Sequence, residues 1–191
     1  MSLLTIHTEG RPEDGVAING HQAIADMLAA IGVRFERWTT GRELRAGDAP
    51  EEVLEAYRES VDRLKQLYGF QSVDVISVGP DHPQKAGLRA KFLEEHVHSD
   101  FEVRFFVEGR GLFFLHPDEK VYGVLCEQGD LISVPARVKH WFDMGESPAF
   151  TCIRLFTRPD GWAAEFTGSE IAGTFPRLEQ FVKFDSWSLH V

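Results

Sequence analysis

Two hydrophobic periods divide this chain. Ile24, Met27, Leu28 and Ile31 recur at the three-to-four spacing of a helix face, with Asn19 placed to cap the start and Gly32 the end. The same period returns in Val53, Leu54, Tyr57, Val61, Leu64 and Leu67, behind a start signal at Asp48, Pro50 and Glu51 and ahead of a stop at Gly69. Residues 33–38 between them read as a strand. Before the first helix, residues 3–6 form a short opening segment and residues 8–14 a polar loop. From Val73 the pattern changes to roughly seven or eight short β-rich runs, separated by turn signals at 109–111, 116–119, 127–130 and 145–148, with no helical period among them. The pattern predicts a mainly β fold, a β-barrel or jelly roll with N-terminal helices packed outside it. One domain spans 1–191: a helical part at 1–70, a barrel core at 71–157 and a C-terminal segment at 158–191. Aromatic residues of that last segment, among them Phe166, Phe175 and Phe181, anchor it to the body.

Composition narrows the function. With 191 residues, 43% of them hydrophobic and fifteen Phe, the chain can bury a sizeable core. A net charge of -10 disfavours nucleic acid, which is held by neutralising phosphates with Lys and Arg. No stretch is apolar for long enough to span a bilayer, the N-terminus lacks a basic region followed by an apolar run, and two cysteines make no disulfide framework. We therefore expect a cytoplasmic protein, without nucleic-acid or membrane partners, that acts as a monomer on small molecules. Cys126 and Cys152 read as small buried hydrophobes.

The chemistry concentrates at residues 96–109. On a strand, side chains two apart share a face, so His96, His98, Glu102 and Arg104 project together while Val97, Val103, Phe105 and Val107 turn to the core. A second run, from Gly129 through Pro135, delivers His140 behind a turn and an apolar strand. Three imidazoles and one carboxylate suit a divalent first-row metal and leave two adjacent positions for a bidentate substrate. Zinc is possible on affinity; Mg and Ca prefer oxygen donors. The remaining histidines, His7, His21, His82, His116 and His190, read as surface residues, and Glu94 with Glu95 as a solvated acidic pair.

These two runs resemble the two cupin motifs. The first, His-x-His-x3-Glu-x6-Gly, is met by His96, His98, Glu102 and Gly109, and the second by Gly129, Pro135 and His140. Arg137 replaces the usual glycine after the proline, Met144 stands where asparagine is common, and Ala90 where a glycine often opens the first motif. The longer stretches around both motifs, with residues 31–38, Arg154-Leu155-Phe156 and Gly161-Trp162, resemble the acireductone dioxygenases of the bacterial type over nearly the whole chain.

That resemblance implies a methionine-salvage enzyme with one Fe(2+) or Ni(2+) per chain. His96, His98, Glu102 and His140 would be the metal ligands, and Arg104 would generate or stabilise the substrate dianion. The substrate would be 1,2-dihydroxy-3-keto-5-methylthiopentene, cleaved with O2. The iron form would give formate and 2-keto-4-methylthiobutyrate, the nickel form formate, carbon monoxide and 3-methylthiopropionate. On charge alone Arg104 suits its role, since a guanidinium stays cationic beside a metal and offers fixed donors to an enediolate oxygen, although an ion pair with Glu102 is the competing use. Arg154, in an apolar strand, needs an anionic ligand or an acidic partner. Phe92, Phe142 and Trp162 are expected to line the pocket for the methylthio tail. Glu95 is a candidate for metal incorporation. Phe101 occupies the place of an acid that precedes the ligand glutamate in many members, a position expected to couple conformational change to the site; it should point away from the ligands. Other readings are another metal cupin, dioxygenase or isomerase, or a non-catalytic cupin that binds a small acid.

Overall fold

The computed structural model describes residues 1–39, 48–158, 161 and 163–187. In chain order its elements are β1 (Leu3–Thr8), β2 (Arg11–Asn19), α1 (His21–Ala29), β3 (Arg34–Arg37), α2 (Pro50–Ala56), α3 (Arg58–Tyr68), β4 (Ser72–Val78), α4 (Lys85–Phe92), β5 (His96–His98), β6 (Glu102–Glu108), β7 (Arg110–His116), β8 (Lys120–Glu127), β9 (Asp130–Val134), β10 (Lys139–Asp143), β11 (Phe150–Phe156), β12 (Ala164–Phe166), a 3-10 turn (Ile171–Gly173) and α5 (Leu178–Trp187). The strands form two antiparallel sheets. One runs β12-β5-β10-β7-β8-β1-β2 and the other β3-β9-β6-β11-β4.

Three apolar layers hold the sheets. Between them lie Leu4, Phe106, Phe113, Val124, Ile132 and Phe142 from the facing sides, with Ile24 and Leu28 of α1 closing one end. Outside the five-stranded sheet, Val103, Phe105, Leu131, Ile153 and Leu155 pack against Val53, Tyr57, Val61 and Leu64 of α2 and α3. Outside the seven-stranded sheet, Leu112, Phe114, Leu125 and Trp141 pack against Phe175, Leu178 and Phe181 of the C-terminal segment. β6 and β11 are therefore covered on both faces, which is why they read as hydrophobic runs broken only by a few polar residues, among them Glu102, Arg104 and Arg154.

The helices thus pack outside a β core as expected, with several differences in detail. Residues 3–19 form a hairpin in the seven-stranded sheet, with β1 between β2 and β8. β2 is an exposed edge strand, and its polar composition, Arg11 to Gly15, mimics a loop. The second predicted helix is two, broken at Tyr57, whose ring turns in against Phe105. Gly20 rather than Asn19 occupies the cap of α1, and the backbone N–H of Ala49 is bonded by Glu52 where Asp48 was expected to cap. α4 interrupts the strands; it buries no residue fully, and Leu88 with Phe92, one turn apart against the core, make too short a stripe to announce it. Among the described residues no helix is long and apolar enough to cross a membrane.

Gly109, the last residue of the first motif, joins β6 to β7 at φ 74°, and a Cβ there would meet the Ala149 carbonyl oxygen at 1.9 Å. Gly109→Ala is expected to cost about 2 kcal/mol or more, read as a lowered urea midpoint; an unchanged midpoint would contradict the close packing. Asp143, buried at the end of β10, accepts from Arg89 of α4 at 2.7 and 3.0 Å and from the backbone N–H groups of Gly145 and Leu178. Burial alone would raise its pKa, but the Arg89 and backbone hydrogen bonds outweigh that and hold it below the ordinary value. Its contribution to stability is then present above the unfolded carboxylate pKa and is lost as pH falls through the lower folded one. Asp143→Asn should melt lower at neutral pH and lose less stability than the parent between about pH 5 and 3.

Candidate metal centre

His96 and His98, two residues apart on β5, project from the seven-stranded sheet, and His140 on β10 is the direct cross-strand partner of His96. Glu102 and Arg104 come from the opposite sheet, on the inward face of β6. The first motif is thus not one strand: the turn at 99–101 carries the chain from one sheet to the other. Side-chain ligand atoms of His96, His98, Glu102 and His140 nevertheless lie within 4.8 Å of one another, and all four residues are buried.

Backbone carbonyls aim the rings. Nδ1 of His96 is 2.7 Å from the Glu94 oxygen, Nδ1 of His98 2.9 Å from that of Ala163, and Nδ1 of His140 2.8 Å from that of Val138. With each Nδ1–H donating outward, each Nε2 points to the centre, where it offers its lone pair to a metal or, for His98 and His140, shares a proton with Glu102. Oε2 of Glu102 lies 2.7 Å from Nε2 of His140 and 3.2 Å from Nε2 of His98, and its other oxygen accepts from Arg104 Nε. Three lone pairs and a carboxylate converging in a buried space repel one another unless a cation sits among them. The donor set fits a divalent metal.

The electrostatics agree with this. Burial, with the nearby His140, pushes His96 down to about 4, so it is neutral and available as a ligand at neutral pH. Burial also opposes a charge on His98, but its bond to Glu102 outweighs this and raises it. Glu102 is held well below the carboxylate range: burial would raise it, yet the Arg104 charge and the hydrogen bonds from His140 and His98 more than offset that. Arg104 is buried too. Its guanidinium carbon lies 4.9 Å from the Phe142 ring centroid and 5.5 Å from that of Phe92, and its Nη1 has no hydrogen-bond partner among the described residues.

Over the cluster opens a cavity of about 60 Å³, with Lys91, Phe92, Arg154, Phe156 and Ala164 at its walls. Phe92 and Arg154 thus lie beside the ligand cluster. Arg154 has an acidic partner, bonding Asp74 through both carboxylate oxygens at 2.9 and 2.7 Å. Phe142 is buried in the inter-sheet core beneath Arg104 and is not a wall of this cavity. Trp162 lies outside the described residues. Phe101 is 42% exposed, turned away from the cluster. Glu95 departs from its solvated reading: it is 2% exposed, with His116 Nδ1 at 2.6 Å and Thr167 Oγ1 at 2.7 Å. His116 and His7 are buried as well, against the surface reading, because β7 and β1 are covered on both sides. Lys91, Phe156 and Ala164 were missed. The strand period could have found Phe156, two residues beyond Arg154 on the same face.

Arg137, at the motif's glycine position, has φ 67°, so the turn keeps the left-handed backbone that glycine favours. The departure from the motif leaves the turn before His140 intact.

The chain matches the model of the ARD/ARD' family over residues 4–164. It is 61% identical over 183 residues to the acireductone dioxygenase of Methylococcus capsulatus, covering 96% of this chain and 98% of that one. To the acireductone dioxygenase of Aquifex aeolicus it is 55% identical over 182 residues, covering 95% and 99%. Among solved structures, acireductone dioxygenase from Bacillus anthracis, with a cadmium ion in its active centre, matches with a TM-score of 0.76 at 28% identity, covering 87% of this chain and 98% of that one.

Replacing Glu102 by Gln removes the one anionic donor of the cluster. Divalent-metal affinity should fall at least tenfold, measured as metal retained per folded chain against a competing chelator. Full retention by the folded variant would show that the metal sits elsewhere.

Proposed function

The chain belongs to the ARD/ARD' family of acireductone dioxygenases, and we propose that it cleaves 1,2-dihydroxy-3-keto-5-methylthiopentene with O2 at a single divalent metal held by His96, His98, Glu102 and His140. The observation that carries this reading is Arg104: a buried guanidinium, fixed by Glu102 and the Phe92 and Phe142 rings, with a hydrogen-bond donor left unpartnered beside the ligand cluster. An unpaired buried donor is costly in a resting protein, and an enediolate oxygen is the acceptor that would satisfy it.

A metal bound at the cluster would supply a template for two substrate oxygens and a Lewis acid for their charge. Around it the chain's residues do the rest. Arg104 binds the enediolate and favours its deprotonated form by charge and by direct donation. Glu102 stays ionised because Arg104 faces it, and His96 stays neutral because it is buried. Phe92 and Phe156 exclude water from the reacting carbons and offer an apolar wall to the methylthio tail. The cavity of about 60 Å³ is well below the ~300 Å³ lower end for ligand pockets, so Phe92 and its neighbours must turn aside as the substrate seats.

Three imidazoles and one carboxylate suit Fe(II) and Ni(II) alike. We propose that the choice sets the products: formate with 2-keto-4-methylthiobutyrate for iron, and formate, carbon monoxide and 3-methylthiopropionate for nickel. Both sets account for every atom of the substrate and one O2. The first returns carbon to methionine, which places the reaction in methionine salvage. The setting is cytoplasmic, and a chain with a net charge of -10 is suited to small-molecule rather than nucleic-acid partners.

Metal-free protein loaded anaerobically with Fe(II), then mixed with acireductone and O2, should take up O2 and form formate and the keto acid far above the uncatalysed rate. Metal bound without such uptake would leave a cupin isomerase or binder. Arg104→Met, with its metal content matched to the parent, should lower kcat/KM about 100-fold or more, since it removes a preorganised donor at the developing charge. A near-parental rate would remove Arg104 from the mechanism.

A further inference from the structure

Three cations line the cavity, and two of them have carboxylate partners. Arg104 is bonded to Glu102, and Arg154 is bonded through two nitrogens to Asp74. The third, Lys91, stands exposed in the last turn of α4, one residue before Phe92, and forms no ion pair or hydrogen bond with the described residues. Its position beside the carbonyl end of a helix is the ordinary use of a lysine, but Arg89 already occupies that turn. Lys91 also reaches the cavity wall, with the metal ligands as its floor.

The charge of the whole chain gives that position a consequence. At -10, the protein's overall field repels an anion approaching from solvent. The substrate is an acid of the enediol type, and both product sets contain carboxylates, so the substrate and every product but carbon monoxide cross the rim as anions. Arg104 is buried and Arg154 is neutralised by Asp74; neither can act far into solvent. An ammonium on a flexible four-carbon stem can do so, and can follow the anion inward as the mouth opens.

We infer that Lys91 is a substrate-binding residue: its ammonium recruits the deprotonated enediol to the cavity and pairs with the oxygen charge turned away from the ligand cluster. The inference rests on the proposed acireductone reaction and adds a residue that neither the motifs nor the relatives' names assign. Lys91 takes no part in bond breaking. Its effect should fall on capture, so KM and the ionic-strength dependence carry it and kcat does not.

The test compares the parent, Lys91→Met and Lys91→Arg as Fe(II)-loaded proteins of matched metal content and melting temperature. O2 uptake with acireductone is followed across a NaCl series, alongside anaerobic equilibrium binding of the same substrate. For the parent, kcat/KM should fall as salt rises. Lys91→Met should lower kcat/KM about fivefold at low salt, the size of an exposed charge contact, weaken anaerobic binding to match, and flatten the salt dependence, while Lys91→Arg keeps parental behaviour. A Lys91→Met protein with the parental kcat/KM and the parental salt slope would overturn the inference and leave the acireductone reaction standing. Loss of kcat with unchanged binding would also overturn it, because that is not a capture role. No turnover by the parent would sink the reaction and the inference together.

Discussion

The structure turns on one buried carboxylate. Glu102 is buried between the sheets at 4% exposure, and an isolated charge there would cost several kcal/mol, a large part of the stability of a domain. It is tolerated because Arg104, two residues along the same strand, faces one oxygen while His98 and His140 from the other sheet face the second. The two sheets are therefore joined at this end by charge pairing, in a cluster whose donors fit a divalent metal, rather than by apolar packing. Such a contact contributes little net stability, but it leaves a strongly polarised space inside an otherwise apolar barrel, and that space is the place for chemistry.

Everything near it serves to keep that arrangement still. β6 is covered on one face by the aromatic residues of the inter-sheet core and on the other by α2 and α3, so neither Glu102 nor Arg104 can swing without displacing a core layer. β5 is only three residues long and would be a weak platform alone. It is held by β10 on one side and β12 on the other, by the Glu95 contacts with His116 and Thr167 just before it, and by Asp100 just after it. Asp100 accepts from the backbone of Phe101, Thr157 and Arg158 and from the Thr157 hydroxyl, tying the turn between His98 and Glu102 to the end of β11. Preorganisation of this kind lets a site bind charge without reorganising as the charge develops.

The ligand set was legible in the sequence because motif spacing encodes local geometry. His96 and His98 share a face by the two-residue period of a strand, Gly109 and Gly129 mark turns whose positive φ suits glycine, and the apolar run before Pro135 delivers His140. The helices around α1 and α3 were legible for the same reason, each carrying an apolar stripe at helical spacing. Where a segment lacks such a stripe the reading failed. α4 buries nothing fully, and β2 is a polar edge strand, so the one was overlooked and the other taken for a loop.

What the sequence alone determined is which residues could carry the chemistry and on which face of a short element each would lie, because those are properties of neighbours along the chain. Only the tertiary structure decided that the first motif is divided between two sheets, that Arg154 is neutralised by Asp74, that Phe142 lies beneath Arg104 rather than at the cavity wall, and that Glu95 is buried against His116. The last three are relations between residues some 20 to 80 positions apart, and the first depends on which sheet each half of the motif joins. Local periodicity carries no record of such pairs; burial and charge pairing come into being only when the sheets close.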